Sequence, residues 1–337
     1  MVTRTASATP AKGPATDDLR LALRAAMLYH VDGLTQAEVA GRLGLSRPTA
    51  GRLIARARAQ GLVRIEIVVP ESLAAHADLE HQLETSFGLD EAVVVPDTGG
   101  SDDANVVPMG RAAAGLLVRR LQPSDRLGLA WGQTMAAMTD ALPAGVARCA
   151  EVVQLDGSTS SVAYRTRGEY IINHCADHLE AVPFPLPAPL YADTATVRSL
   201  RKDSLISKTV TRASTCDAVM FSVGDMTTAS TLLSGSLIEP EVLDELVANG
   251  AVGDACGRFF RRDGSGVDEP MSSRTVSVRL SELRRAPVRM LVAGGARKRE
   301  SILGALSGGL ATVLVTDDSV ATWLIAQNVS TPKEGSS

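Results

Sequence analysis

The sequence is poor in aromatic residues and has no long apolar run, and each shortage excludes a class of protein. Phe, Trp and Tyr make up 3% of the 337 residues, against 45% for all hydrophobic residues, so the core must be built mainly from aliphatic side chains. No apolar run reaches the roughly 18 residues that a membrane-spanning helix needs. Residues 1–18 contain no apolar segment of the kind found in secretion signals. We therefore predict a cytoplasmic protein without a membrane partner.

Cysteine is also scarce, and its spacing excludes several metal sites. The four cysteines are Cys149, Cys175, Cys216 and Cys256. They stand far apart in sequence and form no Cys-x-x-Cys pair, which excludes a zinc ribbon or an iron–sulfur cluster and is typical of isolated buried thiols in a reducing compartment. His174 and His178 share one face of a predicted helix, but a metal site usually needs a third ligand, and we favour a structural role for them. We predict no metal and no cofactor.

Charge is distributed unevenly along the chain. The formal net charge is −4, but residues 19–65 carry eight arginines against two acidic residues, a net charge of +6. Because residues 1–18 are neutral overall, residues 66–337 carry −10. A short basic segment joined to a larger acidic body is typical of a nucleic-acid-binding module with a separate regulatory domain. An arginine-rich solvated surface would give the same charge pattern.

Residues 19–70 show the pattern of three short helices followed by a strand. Apolar residues recur at helical spacing from Leu19, after a segment over residues 1–18 that we expect to be a flexible tail. Two further helices are predicted on either side of Gly44, since glycine favours the backbone of a tight turn. The run LVRIEIVVP over residues 62–70 alternates apolar and polar residues as a short strand does. This order predicts a helix-turn-helix domain.

The two helices around this turn carry the signals of a DNA-reading unit. Thr35 and Glu38 form a capping box, and Ser46 is placed to cap the second helix. Since a recognition helix presents its first residues to base edges and basic groups to phosphates, we assign base contacts to Arg47 and Arg52. The residues predicted to contact DNA are Thr35, Gln36, Ser46, Arg47, Thr49, Arg52 and Arg56. A plain helical hairpin with a basic face is the alternative.

The rest of the chain alternates short apolar runs with helical stretches. Residues 71–88 are interpreted as a linker or oligomerisation helix, with an apolar seam that includes Leu79, Leu83 and Phe87. Over residues 89–330, runs such as EAVVVP and AEVVQLDG are separated by helices of about 10–15 residues. This alternation predicts an α/β domain with a mainly parallel sheet.

Glycine turns follow several of these predicted strands. Ligands of such sheets bind where strands end, because turn N–H groups and helix N-termini are exposed there. The residues assigned to an anionic group are Gly132, Gln133, Thr134, Gly294, Gly295 and Lys298. The charge of Lys298 suits a phosphate. Asp254 is predicted to accept hydrogen bonds from sugar hydroxyls, and an Asx-turn that stabilises its own loop is the alternative.

Several motifs occur together in the order seen in one family. They are GLTQAEVAGRLGLSRPTAGRLIARARAQGLVRI, GLAWGQT, VVQLDG, GAVGDACGRFF and AGGARKRESILGALSGG. On these motifs the chain resembles the SorC/DeoR type of bacterial sugar-binding transcriptional regulator over about residues 19–328. The resemblance implies a winged-type helix-turn-helix domain and an effector domain similar to the Rossmann-like fold of sugar-phosphate isomerases and CoA transferases. It also implies a homotetramer or dimer that binds a double-stranded DNA operator and responds to a phosphorylated sugar or polyol.

The resemblance also assigns positions in the effector site. The phosphate would lie at the two anion-binding turns, Asp254 would contact sugar hydroxyls, and Gln154 and Gly157 would line the cleft. One departure is the pair Arg261 and Arg262, which follows two phenylalanines where the family pattern leads us to expect an acidic or small residue. It leaves the fold unaffected but bears on which sugar is recognised.

Two other functions fit parts of the sequence. A sugar-phosphate isomerase with a DNA-binding appendage would need a carboxylate base, for which Asp225 and Asp254 are the candidates. However, no Gly-x-Ser-x-Gly elbow, Walker loop or Gly-x-Gly-x-x-Gly fingerprint is present. A structural nucleoid protein would suit the basic segment and leave the cleft motifs without a purpose. We therefore predict an effector-controlled regulator of a carbohydrate or polyol operon, without catalytic residues.

Overall fold

The computed structural model describes residues 14–64, 71–99, 105–158, 167–227, 232, 238–267 and 270–329. The chain divides into two compact units, Met1–Val69 and Pro70–Ser337. In these ranges no helix has the length and apolar composition needed to cross a membrane. The strand predicted over residues 62–70 falls mainly on residues 65–70, outside the described residues, and residues 62–64 are not in a strand.

The N-terminal unit is a cluster of three helices. They are α1 (Pro14–His30), α2 (Gln36–Leu43) and α3 (Arg47–Ala59). Alanines are frequent in its core, among them Ala25, Ala50 and Ala57, which have no exposed surface, and their small side chains let helices approach closely. Helix α1 begins at Pro14, so residues 14–18 are helical and do not belong to the predicted flexible tail.

Local sequence signals set the bounds of α2 and α3. The Oγ1 of Thr35 accepts a hydrogen bond from the N–H of Glu38 at 3.3 Å, and the Glu38 carboxylate accepts one from the N–H of Thr35 at 2.8 Å. Gly44 ends α2 in the left-handed conformation, with φ 68°, which glycine adopts without steric cost. Ser46 caps α3, since its Oγ accepts a hydrogen bond from the N–H of Thr49 at 3.4 Å. The predicted helix-turn-helix is therefore present, with its predicted caps.

The C-terminal unit alternates helices and strands. Its helices are α4 (Glu71–Phe87), α5 (Val106–Arg120), α6 (Gln133–Ala141), α7 (Gly168–His178), α8 (Thr194–Leu200), α9 (Ser204–Ala213), α10 (Pro240–Ala248), α11 (Leu280–Leu283), α12 (Arg299–Ser307) and α13 (Asp318–Val329). Its strands are β1 (Glu91–Val95), β2 (Arg126–Leu129), β3 (Glu151–Gln154), β4 (Val182–Phe184), β5 (Ala218–Phe221), β6 (Val223–Asp225), β7 (Gly253–Ala255), β8 (Arg258–Phe260), β9 (Val288–Val292) and β10 (Val313–Asp317).

A seven-stranded parallel sheet forms the centre of this unit. Its strand order is β1–β10–β9–β5–β2–β3–β4, and every neighbouring pair is parallel. Val313 and Val315 of β10 belong to one buried cluster and Leu314 to another, because successive side chains of a strand point to opposite faces. The sheet is thus covered on both faces, and the predicted α/β domain with a mainly parallel sheet is confirmed.

A second, three-stranded sheet lies in the same unit. Its order is β6–β7–β8, and both pairs are antiparallel, with Gly224 opposite Asp254. Cys256 and Gly257 form the turn between β7 and β8, with φ values of 51° and 70°. This sheet carries Asp225 and Asp254, the two acidic residues that the sequence analysis singled out.

Helix α4 packs on the C-terminal unit itself. Leu83 is fully buried, and Leu79 and Phe87 pack against the same buried cluster. The Oε1 of Glu80 accepts a hydrogen bond from the N–H of Val94 in β1 at 2.9 Å, which satisfies part of the sheet edge. The part of the apolar seam formed by Leu79, Leu83 and Phe87 therefore packs on the chain's own core, and the oligomerisation role of this helix stays a prediction.

Candidate functional site

The N-cap and the first two turns of α3 carry four of the side chains assigned to DNA contacts. Ser46, Arg47 and Arg52 are exposed, and Thr49 is half-buried. The Oγ of Ser46 lies 2.8 Å from the Oγ1 of Thr49, and Arg52 donates to the same Oγ1 at 3.4 Å. These bonds hold Arg52 beside the start of the helix. The four residues therefore lie together on one basic, solvent-facing surface, as a recognition helix requires.

The other three predicted contacts have roles within the N-terminal unit. Thr35 caps α2 as described above. Gln36 lies where α2 meets α3, since a Cβ added to Gly51 would lie 3.2 Å from its Oε1. Arg56 forms an ion pair with Asp18 at 3.1 Å between two well-exposed side chains, and such pairs contribute little stability. Arg56 thus stays on the surface, whereas Thr35 and Gln36 have structural contacts of their own.

A cavity of about 440 Å³ opens at the carboxyl ends of the parallel strands. Four of these strands, β2, β3, β5 and β9, are followed within a few residues by Gly132, Asp156, Ser222 and Gly294, which line it. Asp254 of the small sheet completes part of the wall. The cavity is large enough for a small metabolite, and its place in the fold is the one predicted from the glycine turns.

One part of the wall is suited to an anion. Gly132 begins α6 with φ 124°, a conformation that side-chain-bearing residues rarely adopt, and no side chain caps this helix. Gln133 and Thr134 follow it and line the cavity, together with Arg297 and Lys298. An uncapped helix N-terminus and two cationic side chains attract negative charge. The residues predicted for the anion turn at 132–134 and Lys298 thus line the cavity, and their contacts with an anion stay a prediction.

Another part of the wall carries carboxyl groups. Asp156, Asp225 and Asp254 are 4%, 5% and 7% exposed, and all three line the cavity. Burial raises the pKa of Asp254 to about 6, although the N–H of Gly257, which donates to its Oδ2 at 3.0 Å, and the charge of Lys298 act in the opposite direction. Burial also raises the pKa of Asp156 well above its usual range, and the negative charge of Asp254 adds to the effect.

Three residues predicted for this site do not line the cavity. Gln154 is 1% exposed and serves the backbone: its Nε2 donates to the carbonyl of Asp156 at 2.6 Å and its Oε1 accepts from the N–H of Leu186 at 2.9 Å. Gly157 donates its N–H to Val276 and is so tightly packed that a Cβ would lie 2.4 Å from a carbonyl oxygen. The N–H of Gly295 donates to the Asp317 carboxylate at 2.7 Å. Their hydrogen-bonding groups serve the fold, so this structure gives no support to the predicted ligand contacts of Gln154 and Gly157 or to a contact by the N–H of Gly295.

Several residues of the cavity wall were missed as ligand contacts. Asp156 lies between Gln154 and Gly157 in the QLDG motif, and Arg297 lies next to Lys298 in the AGGARK motif. Asp225, which the sequence analysis named as a candidate base, and Ser222, which directly follows β5, also line the cavity. A polar residue directly after a buried parallel strand was the signal available for Ser222.

The arginine pair that departs from the family pattern does not reach the cavity. Arg261 donates to the backbone carbonyls of Asn249 and Gly266 at 3.1 and 2.6 Å. Arg262 forms an ion pair with Glu300 at 2.8 Å. The two residues have these partners elsewhere and do not line the cavity, so this structure gives no support to a direct role for them in recognising the sugar.

The histidine pair has structural contacts. The rings of His174 and His178 lie 4.3 Å apart, and the Nδ1 of His178 is 2.6 Å from the carbonyl oxygen of Leu142. In the described part of the chain, neither belongs to a group of three side chains that could hold a metal ion. Among the described residues, Asp97, Asp317 and Asp318 do form such a group, with one carboxylate oxygen of each within 4.8 Å of the others.

A basic helix-turn-helix surface in one unit and a metabolite-sized cavity in the other define a ligand-responsive DNA-binding protein. The chain matches the Sugar-bind family of sugar-binding domains over residues 71–326 and the MarR family over residues 25–69. The chain belongs to the family of SorC-type, sugar-binding transcriptional regulators.

Proteins similar to this chain are named as regulators, and the similarity covers nearly the whole length of each. The deoxyribonucleoside regulator of Bacillus subtilis is 33% identical and covers 91% of this chain and 97% of its own. The sorbitol operon regulator of Klebsiella pneumoniae is 31% identical, with 92% and 99% covered. The erythritol catabolism regulatory protein EryD of Brucella abortus is 28% identical, with 92% and 98% covered. These names confirm the predicted regulator and do not favour the isomerase alternative.

Solved structures agree with this assignment. The full-length sorbitol operon regulator SorC from Klebsiella pneumoniae aligns with a TM-score of 0.69 at 30% identity and covers 92% of this chain and 99% of its own. A DeoR family transcriptional regulator from Listeria monocytogenes aligns with a TM-score of 0.68 at 27% identity, with 74% and 99% covered. A helix-turn-helix domain followed by a sugar-binding α/β domain is thus the architecture of this chain.

Proposed function

We propose that this regulator binds a double-stranded DNA operator of a carbohydrate or polyol operon, and that a phosphorylated sugar or polyol in the cavity controls this binding. The observation that carries the proposal is the composition of the cavity wall. It combines an uncapped helix N-terminus and two cationic side chains with three buried carboxyls. A phosphate and several hydroxyl groups on one small molecule match both kinds of lining.

The phosphate would lie at the start of α6. Gly132 allows a close approach, and the hydroxyl of Thr134 adds a donor beside the first turn. Lys298 and Arg297 would add positive charge. The neighbouring turn contributes through Gly294, which lines the cavity. Gly295 would act here only by shaping the turn, because its N–H is bonded to Asp317.

The sugar or polyol would lie against the carboxyls. Ionised carboxylates accept hydrogen bonds from hydroxyl groups, and Asp254 is held in the wall by the N–H of Gly257. The relatives named for sorbitol and erythritol point to the same class of compound. The parallel sheet with a cavity at its carboxyl edge also supports a Rossmann-like domain similar to sugar-phosphate isomerases and CoA transferases.

The DNA contacts would come from the start of α3. We assign base contacts to Arg47 and Arg52, and phosphate contacts to Ser46, Thr49 and Arg56. A single short recognition helix covers too few base pairs for a specific site, so we propose a homodimer or homotetramer that binds paired half-sites. The effector would act by binding one arrangement of this assembly more tightly than another.

The DNA half of the proposal is tested by selecting the DNA sequences that the protein binds from a random pool and footprinting the protein on the selected sequences. Arg52→Ala should lose the preference for the selected sequence while still binding DNA at low salt. Arg58→Ala, a change at an exposed arginine later in α3, is the matched control and should weaken binding without changing the preference. An unchanged preference in Arg52→Ala would remove its assigned role.

The effector half is tested by a thermal-shift screen of the full chain against phosphorylated and unphosphorylated sugars and polyols. A ligand at a hundred times its dissociation constant stabilises the folded chain by about 2.7 kcal/mol. The response should be limited to phosphorylated compounds and should be lost in Lys298→Ala. Lys208→Ala, an exposed change outside the cavity, should respond like the parent. Stabilisation by unphosphorylated compounds alone would overturn the phosphate assignment.

A further inference from the structure

Asp156 carries a buried polar atom that lacks a partner in the described part of the chain. The residue is 4% exposed and lines the cavity, and its Oδ1 makes no hydrogen bond to any described residue. The hydroxyl of Ser222, in the same wall, likewise lacks a partner among the described residues. Folded proteins satisfy the great majority of their buried polar atoms. Two such atoms in the wall of one cavity therefore indicate a ligand that bonds to them.

The backbone holds Asp156 in its place beside the cavity. Asp156 pairs with Ser277 in an antiparallel bridge. Its carbonyl accepts a hydrogen bond from Gln154 at 2.6 Å, and the next residue, Gly157, donates to the carbonyl of Val276 at 2.9 Å. The carboxyl is thus fixed in the wall before any ligand binds, and such preorganisation favours binding.

The surroundings of Asp156 select the chemistry of its partner. Burial and the charge of Asp254 raise the pKa of Asp156. A carboxyl group accepts hydrogen bonds in both of its forms and also donates one when it is protonated. A hydroxyl group both donates and accepts, so it can pair with either form. An anionic group at this point would be repelled by Asp254 and by Asp225, whose carboxyls line the same cavity.

We propose that Asp156 and Ser222 form a hydroxyl-recognition subsite that sets the specificity of the effector cavity. The inference rests on the proposed function, because it takes the occupant to be a sugar or polyol derivative. Like charges repel, so the phosphate would lie against the cationic part of the wall and a distant hydroxylated carbon against Asp156. The effector then carries a hydroxyl group on that carbon. Deoxy analogues and compounds that end in a carboxylate are rejected.

The test uses matched ligands and the full-length chain. Dissociation constants are measured by thermal-shift titration for D-ribose 5-phosphate against 2-deoxy-D-ribose 5-phosphate. The same is done for D-glucose 6-phosphate against its 2-deoxy analogue and 6-phospho-D-gluconate, and for ribose and sorbitol without phosphate. Inorganic phosphate is the probe for the anion-binding part alone. The variants are Asp156→Ala and Asp156→Asn, with Asp244→Asn as a control at an exposed position of α10.

The parent chain should bind a hydroxylated compound about tenfold or more tightly than its deoxy or carboxylate partner, because a site built to bond a hydroxyl rejects ligands that lack it. Asp156→Ala should bring the members of each pair to within about twofold and keep the response to inorganic phosphate. Asp156→Asn, which retains hydrogen-bonding atoms, should keep part of the preference and serves as the folding control. Asp244→Asn should behave like the parent.

Each remaining outcome separates this inference from the proposed function. Equal affinities within the pairs, or a preference that survives in Asp156→Ala, would overturn the subsite and leave a phosphorylated effector intact. An Asp156-dependent response to ribose or sorbitol, with none to phosphorylated compounds, would keep the subsite and overturn the phosphate assignment. Binding of neither class of compound would overturn both.

Discussion

At the residue scale, burial and hydrogen bonding shift the pKa of Asp254 in opposite directions. The residue is 7% exposed, and its Oδ2 accepts a hydrogen bond from the N–H of Gly257 at 3.0 Å. Burial prevails and raises its pKa from 3.8 to about 6. The carboxyl is therefore harder to ionise in the folded chain than in the unfolded one, so its ionisation at neutral pH destabilises the fold.

We predict that Asp254→Asn stabilises the C-terminal unit relative to the parent, and that this gain is larger at pH 8 than at pH 4. A folded pKa above the unfolded value contributes stability that is fully present below 3.8 and is lost as pH rises through about 6. Complete loss corresponds to about 3 kcal/mol. Asn keeps an acceptor for Gly257 and does not ionise, so the variant's advantage over the parent should grow by up to this amount.

Urea unfolding followed by tryptophan fluorescence measures this effect in the right unit, because both tryptophans, Trp131 and Trp323, belong to the C-terminal unit. The free energies of unfolding of parent and variant are compared at each pH. A difference between them that stays constant from pH 4 to pH 8 would contradict the raised pKa of Asp254.

Gly224 packs so closely against the Asp254 carboxyl that a single added methyl group would displace it. A Cβ there would lie 2.1 Å from the Oδ1 of Asp254, so Gly224→Ala must displace this carboxyl. We expect a loss of about 1–3 kcal/mol in the free energy of unfolding and weaker effector binding by calorimetry. Gly115→Ala is the control: nothing lies within 4 Å of the added Cβ, and the site is exposed in α5. It should stabilise the chain by about 0.5–1 kcal/mol. Wild-type effector affinity in Gly224→Ala would show that Asp254 does not contact the effector.

At the element scale, the helix-turn-helix was predictable because its signals are local. Thr35, Gly44 and Ser46 act on neighbours within a few residues, so capping rules suffice to place α2 and α3. The parallel sheet was predictable because strands covered on both faces form continuous apolar runs. The start of α1 was not, since residues 14–18 show no apolar periodicity.

The site was predictable only as far as the turns that build it. Whether an N–H in a glycine turn faces a ligand depends on partners distant in sequence. Gly295 donates to Asp317, and Gly157 donates to Val276. Asp156 was missed for the same reason: only tertiary packing shows that it lines the cavity while Gln154, two residues earlier, supports the backbone.

We predict that Thr35 acts on α2 first as a cap. Thr35→Ala removes the capping box and should cost about 1 kcal/mol of helix stability, seen as faster amide hydrogen exchange in α2 of the full chain. Thr35→Ser keeps the capping hydroxyl and should exchange like the parent. Because Thr35→Ser also keeps a hydroxyl that could contact DNA, the hydrogen-exchange rates and not the DNA affinities measure the capping role. Parent-like exchange in Thr35→Ala would contradict the capping role.

At the scale of the whole molecule, we expect DNA and the effector to bind separate units that carry net charges of opposite sign. Residues 19–65 carry +6 and residues 66–337 carry −10, so the basic unit attracts DNA phosphates while the acidic unit does not compete for them. DNA affinity of this origin falls steeply with salt, because phosphate contacts release counterions. The effector cavity is buried and is screened less, so added salt should weaken operator binding more than effector binding.

We predict that effector and operator change each other's affinity by the same factor, as linkage requires of any two coupled ligands. Fluorescence anisotropy of a labelled operator duplex gives the change in DNA affinity at saturating effector, and calorimetry gives the change in effector affinity at saturating DNA. Lys298→Ala should bind the operator like the parent when no effector is present, but should lose the response, because its lysine lines the cavity of the other unit. Lys208→Ala should keep both properties. A factor of one in both measurements, or altered operator binding by effector-free Lys298→Ala, would show that the cavity is not the control site.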